Sequence, residues 1–368
     1  VSGTPKAGER GSLPLPPLQR AAAPEPGAAA VPHADAALGA GVEVAAPGRL
    51  HLGFLDPSAS LGRRFGSLGL VVDGPETLVE LRPAARDLDL ADTPAAQAEL
   101  PRARAHLETL REALRAHGAA LPPLRLRLKA VLPAHAGLGS GTQLALAVGR
   151  AACQLAGVAW PAAELARRTG RGLRSGIGIA GFEHGGLLLD GGPQADGGPA
   201  LPLARLELPA AWRIVLALDP RCRGLSGAAE RAAIATLPPL PREAAAEICH
   251  EVLMRVLPGA AGAEFTPFAA GLTRMQRILG RHFAPAQPHG AYTSAAVGRL
   301  LDWVAVQGPA AVGQSSWGPT GFALLPSAEA AQAVVRGAAD AGVLDPALDL
   351  RIVAARAHGA ALRWLPPA

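Results

Sequence analysis

The sequence predicts an α+β protein of two domains, and three observations carry that expectation. Segments of strand and of helix character follow one another in mixed order, without the regular strand–helix–strand period of a parallel α/β sheet. The 368 residues suffice for two domains of ordinary size. A Gly/Pro-rich run from Asp190 to about Pro202 separates two halves that each hold strands and helices, so the domains are expected at 41–200 and 201–368.

Taken in order, residues 1–40 are rich in Pro, Ala and Gly and show no periodicity, the signature of a disordered extension. Pro14, Pro16, Pro17, Pro24 and Pro26 interrupt the apolar core that a signal peptide needs. From Gly41, Val42 and Val44 and then Leu50, Leu52 and Phe54 alternate as in strands, with Pro47-Gly48 as a break or bulge and Asp56-Pro57 as the stop. Leu68–Val72, the Asp73-Gly74-Pro75 turn and Leu78–Leu81 read as a hairpin. Residues 93–117 put Leu107, Leu110 and Leu114 on one helical face. Leu124, Leu126, Leu128, Ala130 and Leu132 then alternate with Arg125, Arg127, Lys129 and Val131, as in a half-buried strand.

That strand runs into Gly137-Leu138-Gly139-Ser140-Gly141-Thr142, and a helix pattern through Leu144, Ala147, Val148, Ala151, Ala152 and Leu155 runs out of it. Glycine lets backbone approach a ligand, and the free N–H groups at a helix start favour an anion, most often a phosphate. Thr142 suits a helix cap or a hydroxyl beside a metal. No Gly-Lys-Ser/Thr follows, so this is not a Walker loop, and no acidic residue stands where a dinucleotide fingerprint needs one.

A short helix is expected at 161–169. Gly172–Gly186 holds too many glycines for a simple helix or strand, and Leu187–Leu189 forms a buried strand. The second half reads as a strand at 212–218, a polar loop at 221–227, and helices at 228–236, 243–257 and 268–279. A second Gly-rich segment at 308–321 precedes a strand at 322–325, a helix at 328–341 and a last strand at 350–354.

Hydrophobic residues make up 49% and aromatics 4%, so a large core must be built from Leu, Val and Ala. The net charge is +5, nearly all of its cations are Arg, and they are dispersed. Without a basic stripe interleaved with aromatics, a small anionic substrate is favoured over nucleic acid. No segment has the length and apolarity of a membrane span. The three cysteines, Cys153, Cys222 and Cys249, have neither zinc nor disulfide spacing, which fits a reducing, cytoplasmic setting.

Pro47-Gly48-Arg49-Leu50-His51-Leu52-Gly53, the Gly137–Thr142 loop and Gly313–Gly321 together resemble the GHMP kinase superfamily from about residue 41 to the end. The resemblance implies a two-domain GHMP-kinase-like fold, with a ribosomal protein S5 domain 2-like N-terminal domain, a ferredoxin-like C-terminal domain and a cleft between them. Two departures stand out. Where those kinases usually read Gly-Leu-Gly-Ser-Ser-Ala, this loop reads Gly-Leu-Gly-Ser-Gly-Thr-Gln. Ser175-Gly176-Ile177-Gly178 has glycine where they commonly carry the aspartate that prepares the attacking hydroxyl.

Longer motifs resemble the β-ribofuranosylaminobenzene 5′-phosphate synthase family within that superfamily. They are Arg49-Leu50-His51-Leu52-Gly53-Phe54-Leu55-Asp56, Arg174 through Gly186, and Gly313-Gln314-Ser315-Ser316-Trp317-Gly318-Pro319-Thr320-Gly321. That resemblance implies a phosphoribosyltransferase of tetrahydromethanopterin biosynthesis. It joins phosphoribosyl pyrophosphate to 4-aminobenzoate, or 4-hydroxybenzoate, with loss of pyrophosphate and CO2. It also implies Mg2+ or another divalent cation and no nucleotide. A homodimer is the default expectation. An ATP-dependent small-molecule kinase and a non-catalytic ligand-binding relative are the alternatives.

With this chemistry in view, Gly137, Leu138, Gly139, Ser140, Gly141 and Thr142 are expected to hold a phosphate, joined by Arg174, Ser175, Gly176, Gln314, Ser315 and Ser316. Asp56, Arg63, Arg49, Glu183 and His184 are the catalytic candidates, and Asp56 with Thr142 the metal ligands. On local sequence alone Asp56 reads equally as an Asx turn ahead of Pro57. Arg49, Arg63, Arg64 and Arg174 are the candidates for the benzoate carboxylate. His51, His135, Trp317, His289 and Tyr292 are secondary candidates.

Overall fold

The structure, a computed structural model, describes residues 39–367 except 196 and 226. The extension expected at 1–40 lies outside the described residues but for its last two.

Two long antiparallel strands dominate the first sheet, β1 (Gly41–Asp56) and β2 (Phe65–Pro83). The hairpin expected within 68–81 is not formed. Both of its arms belong to β2, and both pair with β1. The reason is that β1 bulges at Gly48, between Pro47 and Arg49, opposite Val72–Pro75. The two strands bend together there, and Asp73-Gly74 serves the bend instead of reversing the chain. β3 (Leu88–Ala91) follows, then helix α1 (Pro94–Ala116), capped by the Thr93 hydroxyl on the N–H of Ala96, then β4 (Leu124–Ala130). Helices α2 (Ser140–Leu155), α3 (Ala162–Arg168) and α4 (Ile177–His184) and strands β5 (Leu187–Asp190) and β6 (Pro202–Leu206) complete this part.

The helix α4 corrects the expectation for Gly172–Gly186. Its glycines permit close packing and do not break it: a Cβ at Gly178 would stand 3.2 Å from the Thr142 methyl, and one at Gly181 2.8 Å from Val71. The buried Gln143 amide donates to the Gly178 carbonyl at 2.9 Å and ties α4 to the start of α2.

The second sheet contains β7 (Arg213–Leu218), β8 (Ala311–Gln314), β9 (Gly321–Leu325) and β10 (Asp349–Val353), in the order β10-β7-β9-β8. Its helices are α5 (Gly227–Thr236), α6 (Arg242–Glu251), α7 (Leu257–Ala261), α8 (Phe265–Phe283), α9 (Ala295–Val304) and α10 (Ala328–Asp340). The single helix expected at 243–257 is divided by a π-helical turn at Val252–Val256 ahead of Pro258. Expectation also passed over β3, β6, β8 and α9, the last capped by Ser294 on Val297.

The strand expected to be last, 350–354, is not: β11 (Ala361–Leu365), which expectation also missed, follows it and returns to pair with β1, so the first sheet runs β11-β1-β2-β4-β3, with β5 on β2 and β6 on β5. Three large cores hold the layers together. Val42, Val44, Val79, Leu81, Leu126 and Leu128 meet α1 through α4. The far halves of β1 and β2, through Leu50, Leu52, Leu68 and Leu70, meet α6, α8 and one face of the second sheet. The alternation along β7 sends Ile214 and Leu216 to that core, and Val215 and Ala217 to a third one under α9 and α10. β1 thus runs from one core to the other, and the residues at its bend lie between them.

Candidate functional site

The bend of β1 is where the three motifs converge. Arg49, just past the bulge, takes the Leu138 carbonyl with its backbone N–H at 3.1 Å and donates its Nη1 to the Gly137 carbonyl at 2.6 Å. Two residues on, the N–H of His51 donates to Ser315 Oγ at 2.9 Å, and that hydroxyl donates to the Gly137 carbonyl at 2.7 Å. The N–H of Ser316 returns to the His51 carbonyl at 3.1 Å. Gly137 and Gly318 are required by this contact. A Cβ on the first would meet the Ser315 carbonyl at 2.3 Å, and on the second the Ala136 carbonyl at 2.3 Å.

Gly139 caps α2 in the left-handed region, φ +83°, so Ser140 and Gly141 begin the helix with their N–H groups forward. Thr142 falls in the first turn and is not the cap. Arg49, His135, Gly137, Gly139, Ser140, Gly141, Thr142, Arg174, Ser316, Trp317 and Gly318 line a cavity of about 360 Å³. Of the sequence candidates, these are brought together.

Others are not. The Asp56 carboxylate accepts from the N–H of Ser58 at 2.9 Å and from the N–H and hydroxyl of Ser60 at 2.7 Å each, so it organises the turn after β1 and forms no pair with Thr142. Arg63 is exposed, and Arg64 donates to the Pro57 carbonyl at 3.1 Å. Glu183 pairs with Arg150 at 2.7 Å and accepts from the first N–H of α3, Ala162, at 3.1 Å. The pKa of His184 is lowered by burial, and the residue sits away from the cavity lining. Ser175 and Gly176 donate to the buried Asp190, whose carboxyl burial pushes upward. Tyr292 packs on Gly298, and a short bridge joins it to His289.

The sequence reading missed three charged cavity residues, Arg102, Arg171 and Glu230. The Arg171-Gly172-Leu173-Arg174 spacing just before a Gly-rich helix was the available signal for Arg171. Glu230 comes from α5, in the other half of the sequence, and receives Arg174 Nη2 at 2.6 Å. Arg171 reaches His106 at 3.3 Å and lies 3.4 Å from a Cβ built on Gly141. Burial lowers the pKa of Arg49 to about 10, with Glu230 opposing, so it stays charged at neutral pH. Burial, then Arg171 and Arg102, hold His106 near 4. Arg49 Nε, Arg171 Nε and Arg174 Nη1 are buried without a hydrogen-bond partner among the described residues. A cavity ringed by four arginines and one carboxylate, at a helix N-terminus, is built to hold a multiply charged anion.

Comparison with known proteins identifies the fold and the family. The GHMP kinases N terminal domain family matches residues 103–186, and the GHMP kinases C terminal family residues 263–344. Solved structures with the same fold include homoserine kinase from Cytophaga hutchinsonii, TM-score 0.57 at 18% identity, covering 88% of this chain and 97% of that one. Streptococcus pneumoniae phosphomevalonate kinase superposes with TM-score 0.63 at 13% identity, over 86% of this chain and all of that one. Two curated relatives are named beta-ribofuranosylphenol 5′-phosphate synthase. The one from Archaeoglobus fulgidus is 32% identical over 293 residues, 76% of this chain and 87% of the relative. The one from Methanothermobacter thermautotrophicus is 30% identical over 292 residues, with the same coverage. No helix among the described residues is long and apolar enough to cross a membrane. By its motifs, its fold and these relatives, the chain belongs to the β-ribofuranosylphenol 5′-phosphate synthase family, carried on the fold of the GHMP kinases.

Proposed function

We propose that this protein condenses phosphoribosyl pyrophosphate with a 4-substituted benzoate, releasing pyrophosphate and CO2. One observation carries the reading: the arginine-ringed cavity at the α2 N-terminus holds charge for a diphosphate, while Gly178 leaves no carboxylate at the kinase position. Glu230 does enter the cavity, but the Arg174 ion pair commits it. The relatives' name describes a phenol product, which supports 4-hydroxybenzoate over 4-aminobenzoate as acceptor.

In this reading the bond from the anomeric carbon to pyrophosphate breaks as the ring carbon bearing the carboxylate attacks. The ring–carboxylate bond then breaks, CO2 leaves, and its electron pair restores aromaticity. The para substituent supplies the electrons, so the protein supplies position and charge, not a strong base. Arg49, Arg171, Arg174 and the α2 N–H groups meet the negative charge that grows on pyrophosphate.

A divalent ion fits as a companion of the substrate. Among the described residues no group of three His, Cys, Asp or Glu could hold a metal. Of the expected metal ligands only the Thr142 hydroxyl lines the cavity, a sparse set that would suit Mg2+ carried in with the diphosphate. When bound, it would neutralise the leaving group.

Carboxyl-labelled 4-hydroxybenzoate, phosphoribosyl pyrophosphate and Mg2+ incubated with the protein should release labelled CO2 together with pyrophosphate. ATP consumption without CO2 release would instead identify a kinase.

A further inference from the structure

Beside the arginine cavity lies a second, smaller chamber of about 40 Å³. The two share Ser316 and Trp317. Its walls are aromatic: His51 stands edge-on to Phe54 with ring centroids 4.6 Å apart, and Phe283 lies against Trp317 at 4.7 Å. Leu279 and three glutamines also line it, and the glutamine amides are engaged. Gln276 donates to the Leu52 carbonyl at 2.5 Å, Gln287 to the Ala291 carbonyl at 3.3 Å, and Gln314 to Gln287 Oε1 at 2.9 Å.

His51 differs from them. Its Nε2 is buried and has no hydrogen-bond partner among the described residues, although the side chain is almost wholly enclosed. Leaving such an atom unmatched is costly, so its presence in a cavity wall points to a ligand atom as its partner. Burial, with Arg49 and Arg174 nearby, pushes the ring down to about 3, so it is neutral at physiological pH. A neutral imidazole carries one ring proton, and with that proton on Nδ1 its Nε2 is an acceptor.

We propose that this chamber receives the para-substituted edge of the acceptor ring, and that His51 Nε2 accepts the hydrogen bond of its hydroxyl or amino group. The assignment rests on the transferase reading above and specifies its second substrate site. The volume decides how much enters. About 15 Å³ holds a water and about 150 Å³ a benzene, so 40 Å³ takes the polar substituent and the adjoining ring edge. The rest of the ring stands at the mouth, between Ser316 and Trp317. The reacting carbon, para to the buried group, then faces the arginine cavity and the anomeric carbon of the sugar. Polar recognition of the substituent by His51 discriminates against benzoates that lack a donor.

The test compares 4-hydroxybenzoate with 4-methylbenzoate, which has nearly the same shape and no donor. Calorimetric titration of the wild-type protein should show the hydroxy acid binding about tenfold more tightly. His51→Leu should erase that preference while leaving the KM for phosphoribosyl pyrophosphate within about twofold. Because His51→Leu could fail to fold, photolysis of 4-azidobenzoate on the wild-type protein provides an independent readout. Label on Phe54, Phe283 or Trp317 is the expected result. Label confined to other segments, or a preference unchanged in His51→Leu, overturns the assignment. If the wild-type protein releases labelled CO2 but the label lies elsewhere, the chamber alone is wrong. If it releases none, the transferase reading falls first.

Discussion

The guanidinium of Arg49 lies directly over Gly139: a Cβ built on Gly139 would stand 3.1 Å from the arginine's central carbon. A β1 side chain thus covers the residue that caps α2, which sets a cation beside the free N–H groups of the helix start. The contact also explains why this position is glycine twice over, by its φ of +83° and by the arginine above it.

Gly139→Val should therefore displace Arg49 and raise the KM for phosphoribosyl pyrophosphate by about tenfold or more, from loss of a charged hydrogen-bond partner. The KM for the benzoate should change little. Initial-rate kinetics with each substrate varied in turn will separate the two.

Arg171 pairs with a neutral histidine and with no carboxylate among the described residues, so its charge is free for substrate. Arg171→Met should weaken phosphoribosyl pyrophosphate by about tenfold to a hundredfold, the worth of a charge-assisted contact. A thermal melt within about 2 °C of wild type would show that the loss is not one of folding. Retention of full affinity would remove Arg171 from the site.

A Cβ on Gly178 would stand 3.2 Å from the Thr142 methyl, so a larger side chain must push Thr142 aside. Restoring the kinase residue with Gly178→Asp should lower the melting temperature and create no ATP turnover. Saturating phosphoribosyl pyrophosphate should raise the wild-type melting temperature by several degrees, as a tight ligand does. Mg-ATP should not. A nucleotide-dependent shift would revive the kinase alternative.

Asp56 holds the turn after β1 through three hydrogen bonds from Ser58 and Ser60. Asp56→Ala should cost about 1–2 kcal/mol of stability, measured by denaturant titration. The kcat of the folded variant should stay within about twofold of wild type. A loss of several orders of magnitude in kcat would return Asp56 to catalysis.

Glu43 and Glu80 are buried on the first sheet beneath Lys129, which reaches them at 2.6 and 2.7 Å. Desolvation opposes their charge, but hydrogen bonds from Arg363 and Lys129 to Glu43, and from Lys129 and Arg82 to Glu80, prevail and lower both carboxyls. A lowered folded-state pKa contributes stability above the unfolded value of about 4.3, and that stability is lost as pH falls through the folded value. Acid titration of the fold should show this loss below about pH 4. Lys129→Ala strips one partner from each carboxylate but leaves Arg363 on Glu43 and Arg82 on Glu80, so it should destabilise by about 1–2 kcal/mol at pH 7.

The mixed order of strands and helices, the Gly-rich start of α2 and the long motifs around Arg49, Arg174 and Ser315 were legible in the sequence, because each is a local pattern. Period-2 alternation, helical spacing and glycine density report what a few neighbouring residues do. Contacts between distant segments leave no such local mark. Asp56 and Glu183 are carboxylates inside suggestive motifs, yet one closes a turn and the other caps α3. Glu230 and Arg102 lie in ordinary helical sequence, and only the fold brings them to the cavity. Residue types and short-range spacing therefore determined the groups available, a Gly-rich helix start and a surplus of arginine. Which charges face one another was decided by the bend of β1 and by the approach of Gly318 to Ala136, because electrostatic work depends on distances in space that chain order does not encode.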